Sequence, residues 1–264
     1  MSTADTSGTL GEVLVERVGE HVVLITLNRP DSHNAVNVAI AEALEACVIQ
    51  IESDKTVRAA VLAARGKSFC AGADLREVAA GRALQLARPE TGFAGFVYAA
   101  KSKPWIAAVQ GAAFGGGTEI ALACDMIIAG EKASFALPEV KRGLIAGAGG
   151  AYRVTNVLPR PVAIEMVVTG EPIGAKRAYE LGLVNHLVAG GEEVAAALRL
   201  AETIARNAPL SVRESLRLTR FAADRGEAEN LRLQDEVVTN VLASPNLAEG
   251  AKAFIEKRAP VWTD

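Results

Sequence analysis

A chain of 264 residues, half of them hydrophobic and 22% charged, allows one large domain or two small ones and can bury a substantial core. Its formal net charge of −3 excludes a global field that would draw it onto a nucleic-acid backbone. The densest basic group, Arg213, Arg217 and Arg220, has helical spacing and is read as a solvated face.

In chain order, the polar start MSTADTSGTLGE lacks the basic end and apolar segment of a signal peptide and is expected to be frayed. Val22 to Leu27 form a β-rich run that stops at Asn28-Arg29-Pro30. A helix follows, with Ala41, Leu44, Val48 and Ile51 on one stripe. Val57 to Ala63 read as a second strand leading into the turn around Ala71. Arg76 to Gly95 have weak periodicity and mixed polarity, as in a mobile connection with helical pieces that could serve as a lid or an acyl-chain wall. Pro104 to Val109 read as a strand, Thr118 to Cys124 as a short buried helix and Asp125 to Ala129 as the next strand. Strand, glycine turn and helix thus recur, as in a repeated structural unit.

From Gly147 onward the pattern is nearly all helical. Helices are expected at Ala151–Leu158, Val162–Val168, Gly174–Leu181, Glu192–Arg206, Pro209–Leu242 and Ala248–Arg258, with a short strand at Leu183–Val188. The fold class is therefore α/β, with a core over residues 1–200 and a helical region over 201–264 that packs on the core or on a neighbouring subunit. Apolar stretches break well before the ~20 residues a membrane span requires, so no membrane association is expected.

Cys47, Cys70 and Cys124 are odd in number and scattered in apolar runs, which points to a reducing, cytoplasmic setting rather than a disulfide framework. No Cys or His pair has ligand spacing, so no metal is expected, and His21, His33 and His186 are read as structural.

The chemistry is expected at three turns. Gly115-Gly116-Gly117-Thr118-Glu119 precedes a helix; the glycines let a ligand approach the main chain, and the first helical N–H groups have no intrahelical partners. A tight turn for close strand–helix packing is the alternative. The segment has no Lys before Thr118, so it is no P-loop, and Gly147 to Tyr152 lack the last glycine of a dinucleotide fingerprint. Glu119 is followed by the apolar run Ile120 to Cys124; a buried carboxylate is costly without partners. Phe135-Ala-Leu-Pro-Glu139 supplies a second carboxylate beside a glycine-rich turn. If the two share a site, their acidities move apart, so that one can hold a proton while the other accepts one. Ala71-Gly-Ala-Asp74 is the third turn, and with the first it could offer two backbone N–H groups to one oxygen.

Six segments in order, LNRPDSHNAVN (27–37), SFCAGADL (68–75), VQGAAFGGGTEIALACD (109–125), FALPEVKRGLIAGAGG (135–150), TGEPIGAKRAYELGLVN (169–185) and EGAKAFIEKR (249–258), resemble the crotonase (enoyl-CoA hydratase/isomerase) superfamily. The likeness covers nearly the whole chain. It implies a spiral of ββα units with C-terminal helices, a homotrimer or hexamer, and an acyl-CoA thioester substrate that carries CoA itself, with no metal or redox cofactor. Ala73 and Gly116 match the residues whose amides hold the thioester oxygen. Glu119 matches the glutamate that deprotonates water, and Glu139 the one that protonates C2. Arg29, Ser32, His33, Ala71, Asp74 and Leu75 match the region that lines CoA and the thioester, and Phe254 and Lys257 the residues that complete the adenine pocket, often from a neighbouring subunit. One departure is Asp31, where family members often place a basic residue for CoA phosphate; Arg29 or Lys67 would have to compensate. KRGL at 141–144 is more basic than in many hydratases.

The expected activity is reversible hydration of a 2-enoyl-CoA. Isomerisation, or dehydration of a polar acyl-CoA, is the alternative within the family; isomerases commonly keep only the glutamate matching Glu139. An RNA-binding relative would require a lysine-rich helical comb, which the dispersed basic residues do not supply.

Overall fold

The computed structural model describes residues 8–222 and 225–263. Twelve strands are named in chain order: β1 (Gly8–Leu10), β2 (Val13–Val18), β3 (Val22–Leu27), β4 (Ala59–Ala64), β5 (Ala87–Arg88), β6 (Gly92–Phe93), β7 (Trp105–Val109), β8 (Ala112–Phe114), β9 (Met126–Gly130), β10 (Ser134–Ala136), β11 (Ile173–Gly174) and β12 (His186–Val188). The helices are α1 (Val38–Ser53), α2 (Leu75–Ala79), α3 (Gly116–Leu122), α4 (Gly150–Val157), α5 (Arg160–Thr169), α6 (Ala175–Glu180), α7 (Glu193–Ala205), α8 (Pro209–Ala222), α9 (Glu227–Leu242) and α10 (Pro245–Glu256). Single turns of 3₁₀ helix stand at Pro30–Ser32, Ala83–Leu86 and Pro138–Arg142.

A seven-stranded sheet in the order β1-β2-β3-β4-β7-β9-β12 forms the centre. Its first pairings are antiparallel and those from β3 onward parallel. β4 and β7 are apolar almost throughout because both faces are covered. On one face α1 lays down Ile40, Leu44, Val48 and Ile51; Asn37 caps its start by accepting from the Ile40 N–H at 2.9 Å. On the other face α7 presents Ala197, Ala201 and Ala205 to Val61, Ile106 and Ile128. Small residues at i, i+4 and i+8 let that helix lie close on the sheet.

The chain spirals between this sheet and a smaller one, β11-β10-β8. It passes from β7 to β8 and α3, then from β9 to β10 and the Pro138–Arg142 turn. An isolated bridge between Cys70 and Ala113 links the preceding layer to β8. This is the spiral of strand, strand and helix that the family resemblance implied, and it stacks the three motif turns side by side.

Most expected elements lie within about two residues of their observed bounds; three expectations are corrected. The start was expected to be frayed, yet from Gly8 it forms β1 and β2, with β2 fully paired to β3; residues 1–7 lie outside the described residues. Pro209–Leu242 is two helices rather than one: α8 (Pro209–Ala222) and α9 are separate, and Gly226, in extended conformation, is the N-cap of α9. The two helices pack on each other. Arg220 is not a solvated residue, because its Nε and Nη2 grip Asp125 at 2.7 and 2.8 Å and its other donors reach the carbonyls of Lys101 and Lys103. That fork fixes α8 to the core. Arg76 to Gly95 hold α2, a 3₁₀ turn and the β5–β6 hairpin. Among the described residues no helix is long and apolar enough to cross a membrane.

Gly117 shows how tightly the layers close. A Cβ there would stand 2.0 Å from the Cys70 carbonyl oxygen, which accepts from the Phe114 N–H at 2.9 Å. Gly117→Ala is expected to destabilise the fold by about 3 kcal/mol, the upper end for overpacking. Thermal unfolding should read this as a Tm drop of roughly 6–12 °C; an unchanged Tm would contradict the close approach.

Candidate active site

Carbonyl ends of successive spiral layers open into a cavity of about 520 Å³. Ala71, Ala73, Asp74, Leu75, Gly116, Glu119 and Glu139 all line it, so the three motif turns meet at one cavity. The Ala73 turn is held by a bridge to Val36, made by the N–H groups of Val36 and Asp74 and the carbonyls of Gly72 and Val36. That pattern leaves the Ala73 N–H out of the ladder. Gly116 is the first residue of α3, where an N–H has no intrahelical acceptor. Gly115, the N-cap, has φ +56°, a conformation that favours glycine.

Glu119 is 3% exposed. Its Oε1 accepts from the N–H of Ala148 at 2.7 Å and of Gly150 at 2.9 Å. The carboxylate therefore sits at the start of α4, whose N-cap Gly149 offers no side chain. Burial pushes its pKa up to about 7, the two amide hydrogen bonds and the Arg153 charge work against that rise, and the Glu139 charge adds to it. Glu139 is the second residue of the 3₁₀ turn that Pro138 opens. Its Oε2 is buried without a hydrogen-bond partner among the described residues, and its Oε1 lies 3.0 Å from where a Cβ on Gly115 would stand. Burial raises its pKa as well, against the Glu139 backbone N–H and Arg142. Two carboxyls with raised pKa values in one cavity, Glu119 raised further by the Glu139 charge, can divide acid and base duties.

The remaining sequence candidates fall into three groups. Arg29 is engaged within the fold, donating to Asp74 Oδ2 at 2.7 Å and the Ala35 carbonyl at 2.9 Å and pairing with Glu12 at 3.2 Å. It is thus a brace for the Asp74 turn, while Lys67 is exposed. Burial opposes ionisation of Asp74, but hydrogen bonds from Arg29 and the Arg76 amide and the charges of both arginines hold its pKa below the usual carboxylate value. Ser32 and His33 stand outside the cavity lining, beside it in the fold: the His33 carbonyl accepts from the Ala71 N–H at 3.0 Å, and its Nδ1 lies 3.1 Å from Ser68 Oγ. Phe254 is 85% exposed and Lys257 is exposed too; neither lines the cavity of its own chain.

Sequence reasoning missed Phe93, Arg142, Leu144, Ile145 and Ala148 as lining residues. Phe93 lay in a stretch without periodicity, and KRGL was noted only for its charge. Arg76, whose Nη2 donates to Ser32 Oγ at 3.2 Å, puts a cation beside the 30–33 turn. Among the described residues no group of three or more His, Cys, Asp and Glu is arranged to hold a metal ion. Burial pushes the thiols of Cys47, Cys70 and Cys124 up to about 12, which suits packing and not nucleophilic work.

Comparison with known proteins identifies the family. Residues 17–264 match the model of the family described as enoyl-CoA hydratase/isomerase. The chain is 40% identical to mevalonyl-coenzyme A hydratase of Beauveria bassiana, with 92% of each chain covered. Among solved structures, enoyl-CoA hydratase from Mycobacterium tuberculosis H37Rv superposes with a TM-score of 0.92 at 41% identity, over 96% of this chain and 98% of that one. Carnitinyl-CoA hydratase from Mycobacterium avium is 49% identical with a TM-score of 0.76, over 96% and 98% of the two chains.

Proposed function

Since the chain belongs to the enoyl-CoA hydratase/isomerase family, we propose that its cavity takes a 2-enoyl-CoA thioester and adds water reversibly across the 2,3-double bond. The observation that carries this reading is the meeting of Glu119, Glu139, Ala73 and Gly116 around one cavity. The Ala73 and Gly116 N–H groups donate to the thioester oxygen and stabilise the enolate that forms on it, each donor contributing about 3 kcal/mol in sites of this type. Glu119 takes a proton from water as its oxygen bonds to C3, and Glu139 delivers a proton to C2. Atoms balance as one water added; proton return from Glu119 to Glu139 through solvent resets the pair. CoA arrives with the substrate, and the steps call on no metal or redox group.

The turn at 30–33, with Ala71 and Leu75, receives the CoA portion, and Phe254 and Lys257 complete its adenine end from a neighbouring subunit of a trimer or hexamer. The exposed Phe254 and Ile255 on α10 support that assembly. Three free cysteines support a cytoplasmic setting. A second reading, dehydration of a polar 3-hydroxyacyl-CoA, is favoured by Arg142, a cation in the cavity lining.

A panel of thioesters tests the reading: loss of enoyl absorbance with crotonyl-CoA and longer 2-enoyl-CoAs is expected. Migration of the double bond in 3-enoyl-CoA without turnover of any 2-enoyl- or 3-hydroxyacyl-CoA would contradict it. The pH dependence carries a further expectation. Hydration needs one carboxyl ionised and one protonated, so kcat/KM should be bell-shaped. Because burial lifts both pKa values, the bell should lie nearer neutrality than ordinary glutamates, near pH ~4.3, would place it.

A further inference from the structure

We infer that Arg153 is a positioning residue for Glu119: it fixes the 147–150 turn whose two amides aim the Glu119 carboxylate. The inference rests on the reading of Glu119 as the base. Both hydrogen bonds to Glu119 Oε1 come from that turn, from Ala148 and Gly150, so the aim of the carboxylate is only as good as the turn's position. The turn itself is Gly-Ala-Gly-Gly, a sequence with little conformational preference of its own. Its order is imposed from outside. Arg153 Nη1 donates to the Ala148 carbonyl at 3.2 Å and Nη2 to the Val97 carbonyl at 2.6 Å. The Tyr98 hydroxyl donates to the Gly147 carbonyl at 3.1 Å. The guanidinium lies 5.3 Å from the ring centroids of both Tyr98 and Tyr152, so two aromatic rings hold the fork in place.

Two observations separate this role from generic packing. Arg153 does not line the cavity that holds the two glutamates; it lines a different one, of about 480 Å³, with Tyr98, Lys101, Asp125, Tyr152 and Arg220. It therefore acts through the turn and not by touching substrate. It is also a cation in the opening residues of α4, where the helix dipole favours anions. The anion at that end is the Glu119 carboxylate, and the Arg153 charge favours its ionised form. The other ionisable groups facing Glu119 are Glu139, from the 138–142 turn, and the Tyr98 hydroxyl. Tyr98 is faced in turn by Tyr152, and Glu139 by Arg142.

Arg153→Gln and Arg153→Lys, assayed beside Glu119→Gln, test the inference. Arg153→Gln should lower kcat about 10²-fold, the cost of a catalytic group displaced by about 1 Å, with KM little changed. Its acid limb should move to higher pH, because the charge that favours the Glu119 carboxylate is gone. Arg153→Lys keeps the charge but not the fork, so the acid limb should return while kcat recovers only in part. If Arg153→Gln does not fold, the lysine variant decides alone: lowered kcat on the wild-type acid limb supports the inference, and wild-type kcat overturns it. A wild-type kcat and acid limb in Arg153→Gln, with Glu119→Gln inactive, overturns the role of Arg153 alone. A wild-type rate in Glu119→Gln overturns the reading beneath it, whatever Arg153 does.

Discussion

Glu119→Gln is expected to lower kcat for hydration of a 2-enoyl-CoA about 10³-fold, within the range of general acid–base contributions, and to stabilise the fold at the same time. The amide oxygen of Gln can accept the same two bonds from Ala148 and Gly150, so the shape of the site should survive. What is lost is the capacity to take a proton from water. The stability gain follows from linkage. In the fold Glu119 keeps its proton up to a pH of about 7, whereas an unfolded chain releases it near pH ~4.3. Between those values the folded state binds more protons, so wild-type stability falls as pH rises through the window. A neutral Gln escapes that loss. Above pH ~7 the variant should exceed wild type by on the order of 3 kcal/mol, and at pH ~4 the difference should vanish. Denaturant unfolding at the two pH values, with steady-state kinetics on the same preparation, checks both halves. An unaffected rate removes the site assignment; a variant less stable at high pH removes the electrostatic account of Glu119.

The second large effect is expected from Glu139→Gln, a loss of about 10²–10³-fold in hydration from removal of the donor at C2. This variant also takes away the negative charge that raises the Glu119 pKa. With that charge gone the Glu119 pKa should fall from about 7, and the acid limb of the residual activity should move to lower pH. The direction is opposite to the one expected for Arg153→Gln, so the two variants bracket Glu119 between an anion and a cation. The pair of glutamate variants also separates the reactions of the family: an enzyme that only moved a double bond would lose activity in Glu139→Gln and keep it in Glu119→Gln. Measuring pH profiles of kcat/KM for wild type and Glu139→Gln decides; an acid limb that stays in place contradicts the coupling.

The site was legible in the sequence where chemistry demands unusual residues. A glycine triplet ahead of a carboxylate in an apolar run is hard to explain by packing alone, and it led to Glu119. The partners of Glu119 were not legible, because Ala148 and Gly150 lie 29 and 31 residues away and act through backbone N–H groups that every residue carries. Arg220 was misread for a related reason. Its helical spacing describes α8 and is silent about Asp125, 95 residues away in sequence. Continuous periodicity across 209–242 hid the break at Gly226, which only the extended conformation of that residue reveals. The partners of Arg29 were equally hidden: Asp74, Glu12 and the Ala35 carbonyl meet it only in the fold. The small sheet escaped notice because strands of two or three residues, such as β8 and β11, are too short to show a period of two.

The most direct measurement is a crystal structure of Glu119→Gln with a 2-enoyl-CoA bound. The account predicts a thioester oxygen about 3 Å from the backbone nitrogens of both Ala73 and Gly116, with C3 facing residue 119 and C2 facing Glu139. A thioester lodged outside this cavity, or an oxygen that reaches neither amide, would contradict it.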